Sequence, residues 1–188
     1  MKKRLGFTLV ELSAAMTILG VLLLGTMTLF LTCLKQYSRT STGIDLSSQN
    51  TLGTRKVLDT LRSAMSATIS PDGKTLTYTL PKLASIADST TGEKEYIYPL
   101  TAQSAGQSFT VSSGKLVDNT TGKTLVSNIY ATDPDPKSSQ YGQTVAPFQF
   151  TTIGSRKGVS VNLITRKVVN GIETYVRMKN TVILRNNP

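Results

Sequence analysis

The chain has 188 residues, 39% of them hydrophobic, with 21 basic against 11 acidic side chains and a formal net charge of +10. One cysteine, Cys33, excludes an intramolecular disulfide and a thiolate metal cluster, and the absence of histidine removes the usual general base, triad partner and zinc ligand. The length suits one domain plus an anchoring segment, and nothing in the composition calls for a cofactor.

The first element is apolar. Lys2, Lys3 and Arg4 precede residues 12–34, 23 positions without a charge. As a helix this run is about 34 Å long, enough for a hydrocarbon core of about 30 Å. The preceding cations predict a cytoplasmic leader and an exported C-terminal part, with the chain in the bacterial inner membrane. A secretory signal has a shorter apolar stretch and a small-residue cleavage site, and Lys35-Gln36-Tyr37-Ser38-Arg39 supplies none. A lipoprotein would need small residues before Cys33, where Phe30-Leu31-Thr32 stand. An ordinary signal anchor is the remaining alternative.

Glu11 is the anomaly in this segment, because a carboxylate at a membrane helix requires a partner. The leader lysines are one candidate. Cleavage after Gly6 creates another, since it frees an ammonium on Phe7, four residues back on the same helical face.

The run Lys3-Arg4-Leu5-Gly6-Phe7-Thr8-Leu9-Val10-Glu11 closely resembles the class III signal of type IV prepilins and type II secretion pseudopilins. The resemblance implies that a prepilin peptidase recognises Lys2, Lys3 and Arg4, cuts between Gly6 and Phe7, and methylates Phe7. It further implies that Glu11 sets subunit register against a neighbour's Phe7 amine. The implied partners are other pilin or pseudopilin subunits and an inner-membrane assembly platform, and the implied destination is a surface or periplasmic filament. The implied role is structural, not enzymatic.

Beyond residue 34 the helix is predicted to continue, amphipathic, to about residue 69. Leu58, Leu61, Met65 and Ile69 form its apolar stripe, with Leu52 and Val57 less regular additions. Gly43 and Gly53 weaken the stretch between 40 and 55, a place for a bend. Pro71-Asp72-Gly73 marks its end. The expected organisation is a leader over 1–6, an assembly half-helix over 7–34, an amphipathic half over 35–70 and a β-rich head over 71–188.

Strands are expected at 76–80, 95–98, 109–111, 116–117, 125–130, 148–153, 159–166 and 174–184, giving an α+β protein with an antiparallel sheet. Asn170-Gly171 predicts a hairpin between the last two. Val159, Val161 and Leu163 alternate with Ser160, Asn162 and Ile164, which predicts one buried face. Ser112-Ser113-Gly114 and Asn119-Thr120-Thr121-Gly122 mark further turns. The tyrosines read as half-buried strand residues.

The C-terminal half, ending Val182-Ile183-Leu184-Arg185-Asn186, loosely resembles larger minor pilins and J-type pseudopilins. Against major pilins, the apolar helix lacks a proline and the head lacks a disulfide, which favours a minor or initiating subunit. Asp133-Pro134-Asp135-Pro136 offers two carboxylates, weak candidates for calcium, though the prolines suit a stiff connector. The positive charge is dispersed, which keeps a polar domain soluble and leaves contact with DNA, anionic lipid or an acidic partner open.

Overall fold

The structure is a computed structural model that describes residues 8–87, 90–92, 94–96, 102, 106–154 and 156–184. Lys2, Lys3, Arg4, Gly6, Phe7 and Tyr98 lie outside the described residues, as does the chain end from Arg185. The chain divides into two compact units, Met1–Ser41 and Thr42–Pro188.

One helix, α1 (Leu9–Arg62, 54 residues), supplies the first unit and opens the second. Within the first unit its large apolar side chains are exposed, from Leu9 and Val10 through Leu34. An 18-residue window of this helix reaches a mean hydropathy of 2.2, so it is long and apolar enough to cross a membrane. Its hydroxyls are satisfied locally. Ser13, Thr17, Thr26, Thr28 and Thr32 each donate to a carbonyl three or four residues back, at 2.8–3.0 Å. In a medium without water such back-bonding removes the penalty of an unpaired donor.

In the second unit α1 buries Thr42, Leu46, Asn50, Gly53, Thr54, Val57 and Leu61, a stripe at three- and four-residue spacing. Leu52, expected to extend the apolar face, is exposed, and Asn50 lies inside instead. The helix stops at Arg62, short of the predicted residue 69. Ser63 and Ala64 donate to Thr60 and Leu61 carbonyls three residues back, tightening the last turn. Met65 N–H then bonds Thr79 C=O at 2.9 Å, and β1 (Ser66–Ile69) begins. The four-residue step from Met65 to Ile69 holds a side chain to one face at a period of 3.6 and at a period of 2 alike, so the stripe misreads the strand as helix.

The remaining strands are β2 (Thr75–Thr79), β3 (Leu83–Ala87), β4 (Lys94–Tyr96), β5 (Gln107–Ser112), β6 (Lys115–Asp118), β7 (Lys123–Val126), β8 (Phe148–Ile153), β9 (Arg156–Val169) and β10 (Ile172–Ile183). Every named pairing is antiparallel, in sheets ordered β1-β2-β5-β6-β7, β10-β9-β8 and β3-β4. The protein is therefore α+β, with β1 and β3 as strands the pattern did not announce. Asn170 and Gly171 (φ +52° and +74°) close β9 on β10 with Val169 opposite Ile172, the two-residue hairpin expected.

Val57 and Leu61 of α1 meet Leu76, Tyr78, Phe109, Leu116 and Val126 of the five-stranded sheet and Val159, Val161 and Leu163 of β9 in one core. The Tyr78 and Phe109 rings stack with centroids 5.1 Å apart. The single buried face expected for β9 is a correction: Ser160, Asn162 and Ile164 are buried too. The loop before β8 also pairs along β9. Tyr130 N–H bonds Ile164 C=O at 2.7 Å, Asn162 N–H bonds Pro147 C=O at 2.8 Å, and Ile129 bridges Thr165. Tyr141 stands exposed on that loop rather than half-buried in a strand.

Candidate functional site

The N-terminus of α1 is a capping box. Thr8 precedes the first helical residue, and its hydroxyl accepts from Glu11 N–H at 3.3 Å. Glu11 Oε2 reaches back to accept from Thr8 N–H at 2.9 Å and from the Thr8 hydroxyl at 3.0 Å. The signal was present as Thr8-Leu9-Val10-Glu11, a hydroxyl followed three residues later by a glutamate. Glu11 thus has a local partner that the ion-pair argument overlooks. The carboxylate is held at the positive end of the helix dipole by the Thr8 N–H and hydroxyl. The proposed counter-charge on Phe7, the bond Gly6–Phe7 and the leader cations all belong to the undescribed segment.

Gly20 and Gly25 have open space where a Cβ would sit, and Cys33 is exposed. This stretch therefore offers an all-round apolar surface with no group of three metal-ligating side chains among the described residues.

In the second unit the Asp133-Pro134-Asp135-Pro136 segment forms a tight loop. Asp133 is 1% exposed and its carboxylate accepts from Arg177 Nη1 at 2.8 Å, Ser138 Oγ at 2.7 Å and Asp135 N–H at 3.0 Å. Asp135 turns outward to accept from Lys137 N–H. Asp133 is thus committed to donors of the protein, and among the described residues no group of three His, Cys, Asp or Glu side chains is placed to hold a metal ion. Arg177, from β10, is the residue that reading along the chain could not pair with Asp133, 44 positions away.

The Ser138 hydroxyl, the Asp135 N–H and the Arg177 guanidinium hold the Asp133 carboxyl below its ordinary value of 3.8. A depressed carboxyl stabilises the fold fully above its unfolded value of about 3.9 and loses that contribution as the pH falls through the folded value. Between about pH 5 and pH 2 the urea midpoint of the wild type is expected to fall more steeply than that of Asp133→Asn. Parallel curves would refute the pairing.

Residues 1–27 match the family model described as the prokaryotic N-terminal methylation motif. No curated protein and no solved structure matches the chain. A basic leader ahead of Gly6-Phe7, a capped Glu11 four positions on and the long apolar helix that follows agree with that motif, the class III signal peptide of type IV pilins.

Proposed function

We propose that the chain is a minor pilin or pseudopilin: a structural subunit that prepilin peptidase cuts between Gly6 and Phe7, that is methylated on Phe7, and that enters a type IV pilus-like filament through α1. The observation that carries this reading is the methylation motif over residues 1–27, continuous with a helix whose large apolar side chains from Leu9 to Leu34 are exposed among the described residues. Such a surface suits lipid before assembly and neighbouring helices after it, because helix packing replaces lipid contact at little cost. The leader stays cytoplasmic and the β head is exported. The same anatomy serves a pilus or a secretion pseudopilus. Without the leader the chain still carries 18 basic against 11 acidic side chains, a net +7, which favours contact with DNA or another anionic surface as a further role of the displayed head.

Mass spectrometry of the protein isolated from cells tests the processing step. The expected mature form lacks residues 1–6 and carries one added methyl group on Phe7. A chain that retains its leader, or starts downstream of the apolar helix, would end the proposal.

A further inference from the structure

Four apolar side chains of the second unit gather in one short hairpin. Val168 and Val169 close β9, Ile172 opens β10 and Tyr175 follows on it, around the Asn170-Gly171 turn. Val168 is 56% exposed and Tyr175 41%, while Val169 and Ile172 are half-buried. The hairpin runs along the part of α1 that belongs to this unit. Asn50 bonds Thr165 and Val176, Asp45 pairs with Lys167 at 3.5 Å, and Thr174 packs against Gly43. Each step outward on the hairpin is thus a step back along α1 towards Thr42, where the chain enters this unit. The turn lies three residues past Thr174, about 10 Å of strand. Ile44, at the same end of α1, is exposed as well.

The charges at this end are spent within the head. Lys167 pairs with Asp45, and Arg166 pairs with Glu173 and lies over the Tyr130 ring. Two cations face two anions, so the tip is apolar and locally neutral, a poor match for nucleic acid or a strongly charged partner. An exposed tyrosine among aliphatic side chains suits a bilayer interface, where the ring lies among headgroups and the hydroxyl stays wet. The chain itself keeps such a surface near. Thr42 follows Leu34, the last residue of the uncharged run, by eight positions, about 12 Å of helix. The headgroup layer beyond the hydrocarbon is itself about 5–8 Å deep.

We propose that the tip of the β9–β10 hairpin rests on the headgroup layer of the membrane that holds the apolar helix, with Val168 and Tyr175 among the lipids. It docks the head on the bilayer while the helix is stored there, without preference for anionic lipid. This inference rests on the reading that residues 12–34 cross a membrane.

The protein has no tryptophan, so Tyr175→Trp places a single fluorophore in the full chain. The chain is reconstituted into phosphatidylcholine vesicles with or without bromine on the acyl carbons nearest the headgroup. Tyr175→Trp is expected to lose at least about half its emission in the brominated vesicles, and Val168→Trp to do the same from the paired strand. Phe150→Trp is expected to be unaffected. Phe150 stands opposite Val159 and through it Val182, seven residues along β10 from Tyr175, about 23 Å of strand. Adding Val168→Asp to Tyr175→Trp is expected to restore most of the lost emission, because a carboxylate resists leaving water. Vesicle flotation separates this inference from the reading beneath it. A chain that does not float overturns both. A chain that floats with equal emission in the two kinds of vesicle, at 175 and at 168, overturns this inference alone. A blue shift without bromine quenching, the sign of a second copy covering the hairpin, also overturns it, as does quenching that appears only with anionic lipid.

Discussion

Glu11→Gln is expected to be cleaved and methylated normally and to be missing from sheared filaments. Two roles converge on this side chain, and the capping box separates them. Glutamine caps a helix as glutamate does, reaching back to the N-cap N–H, so the substitution keeps the bond to Thr8 N–H and removes the charge. Thr8→Ala does the reverse. It removes the hydroxyl that accepts from Glu11 N–H, costing about 0.5–2 kcal/mol of helix stability, and leaves the carboxylate free for an amine. If pairing with the Phe7 ammonium sets register, Glu11→Gln is lost from filaments by at least about tenfold, the equivalent of about 1.4 kcal/mol per subunit, while Thr8→Ala assembles. Quantitative immunoblotting of sheared filaments against whole-cell mature protein measures both. Loss of Thr8→Ala from filaments with normal assembly of Glu11→Gln would show that the cap, and not the charge, is what assembly needs.

Gly53→Ala is expected to destabilise the head, and Gly43→Ala to stabilise it, although both replace a helical glycine with the best helix former. The intrinsic gain is about 0.8–1.0 kcal/mol at either position. At Gly43 an added Cβ would lie 3.8 Å from Thr174 Cγ2, an ordinary contact, so the gain survives. At Gly53 it would lie 2.2 Å from Val126 Cγ2 and 3.3 Å from Leu125 C=O. Valine is branched at Cβ and stiff, and a backbone carbonyl of β7 stands behind it, so neither neighbour yields cheaply. Overpacking of this kind costs about 1–3 kcal/mol, which exceeds the propensity gain. Denaturant unfolding of the two variants should give midpoints on opposite sides of the wild type. A Gly53→Ala midpoint above the wild type would mean that α1 does not approach β7 this closely.

That pair of glycines also shows how the sequence misleads. Read along the chain, Gly43 and Gly53 are soft points where a helix bends. In the fold α1 is unbroken from Leu9 to Arg62, and Gly53 is there because β7 packs against it. A glycine reports missing bulk, and the reason for the missing bulk lies on another element. Asn50 repeats the lesson. Its polarity argues for the exposed side, yet it is fully buried because its side-chain amide donates to Thr165 Oγ1 at 2.9 Å, 115 residues away.

The sequence by itself determined the long apolar helix and the N-terminal motif ahead of it. Gly6, Phe7 and Glu11 stand at fixed spacing on one apolar run, and helix formation, membrane transfer and capping are all decided within a few turns of the chain. It also determined most strands and the Asn170-Gly171 hairpin, since turn chemistry and alternation are local as well. Only the tertiary structure decided that Met65 to Ile69 leave the helix, that β9 is covered on both faces, and that Asp133 belongs to Arg177. Each outcome depends on which distant backbone and side-chain groups satisfy a segment, and at a spacing of four residues helix and strand place the same side chains on the same face.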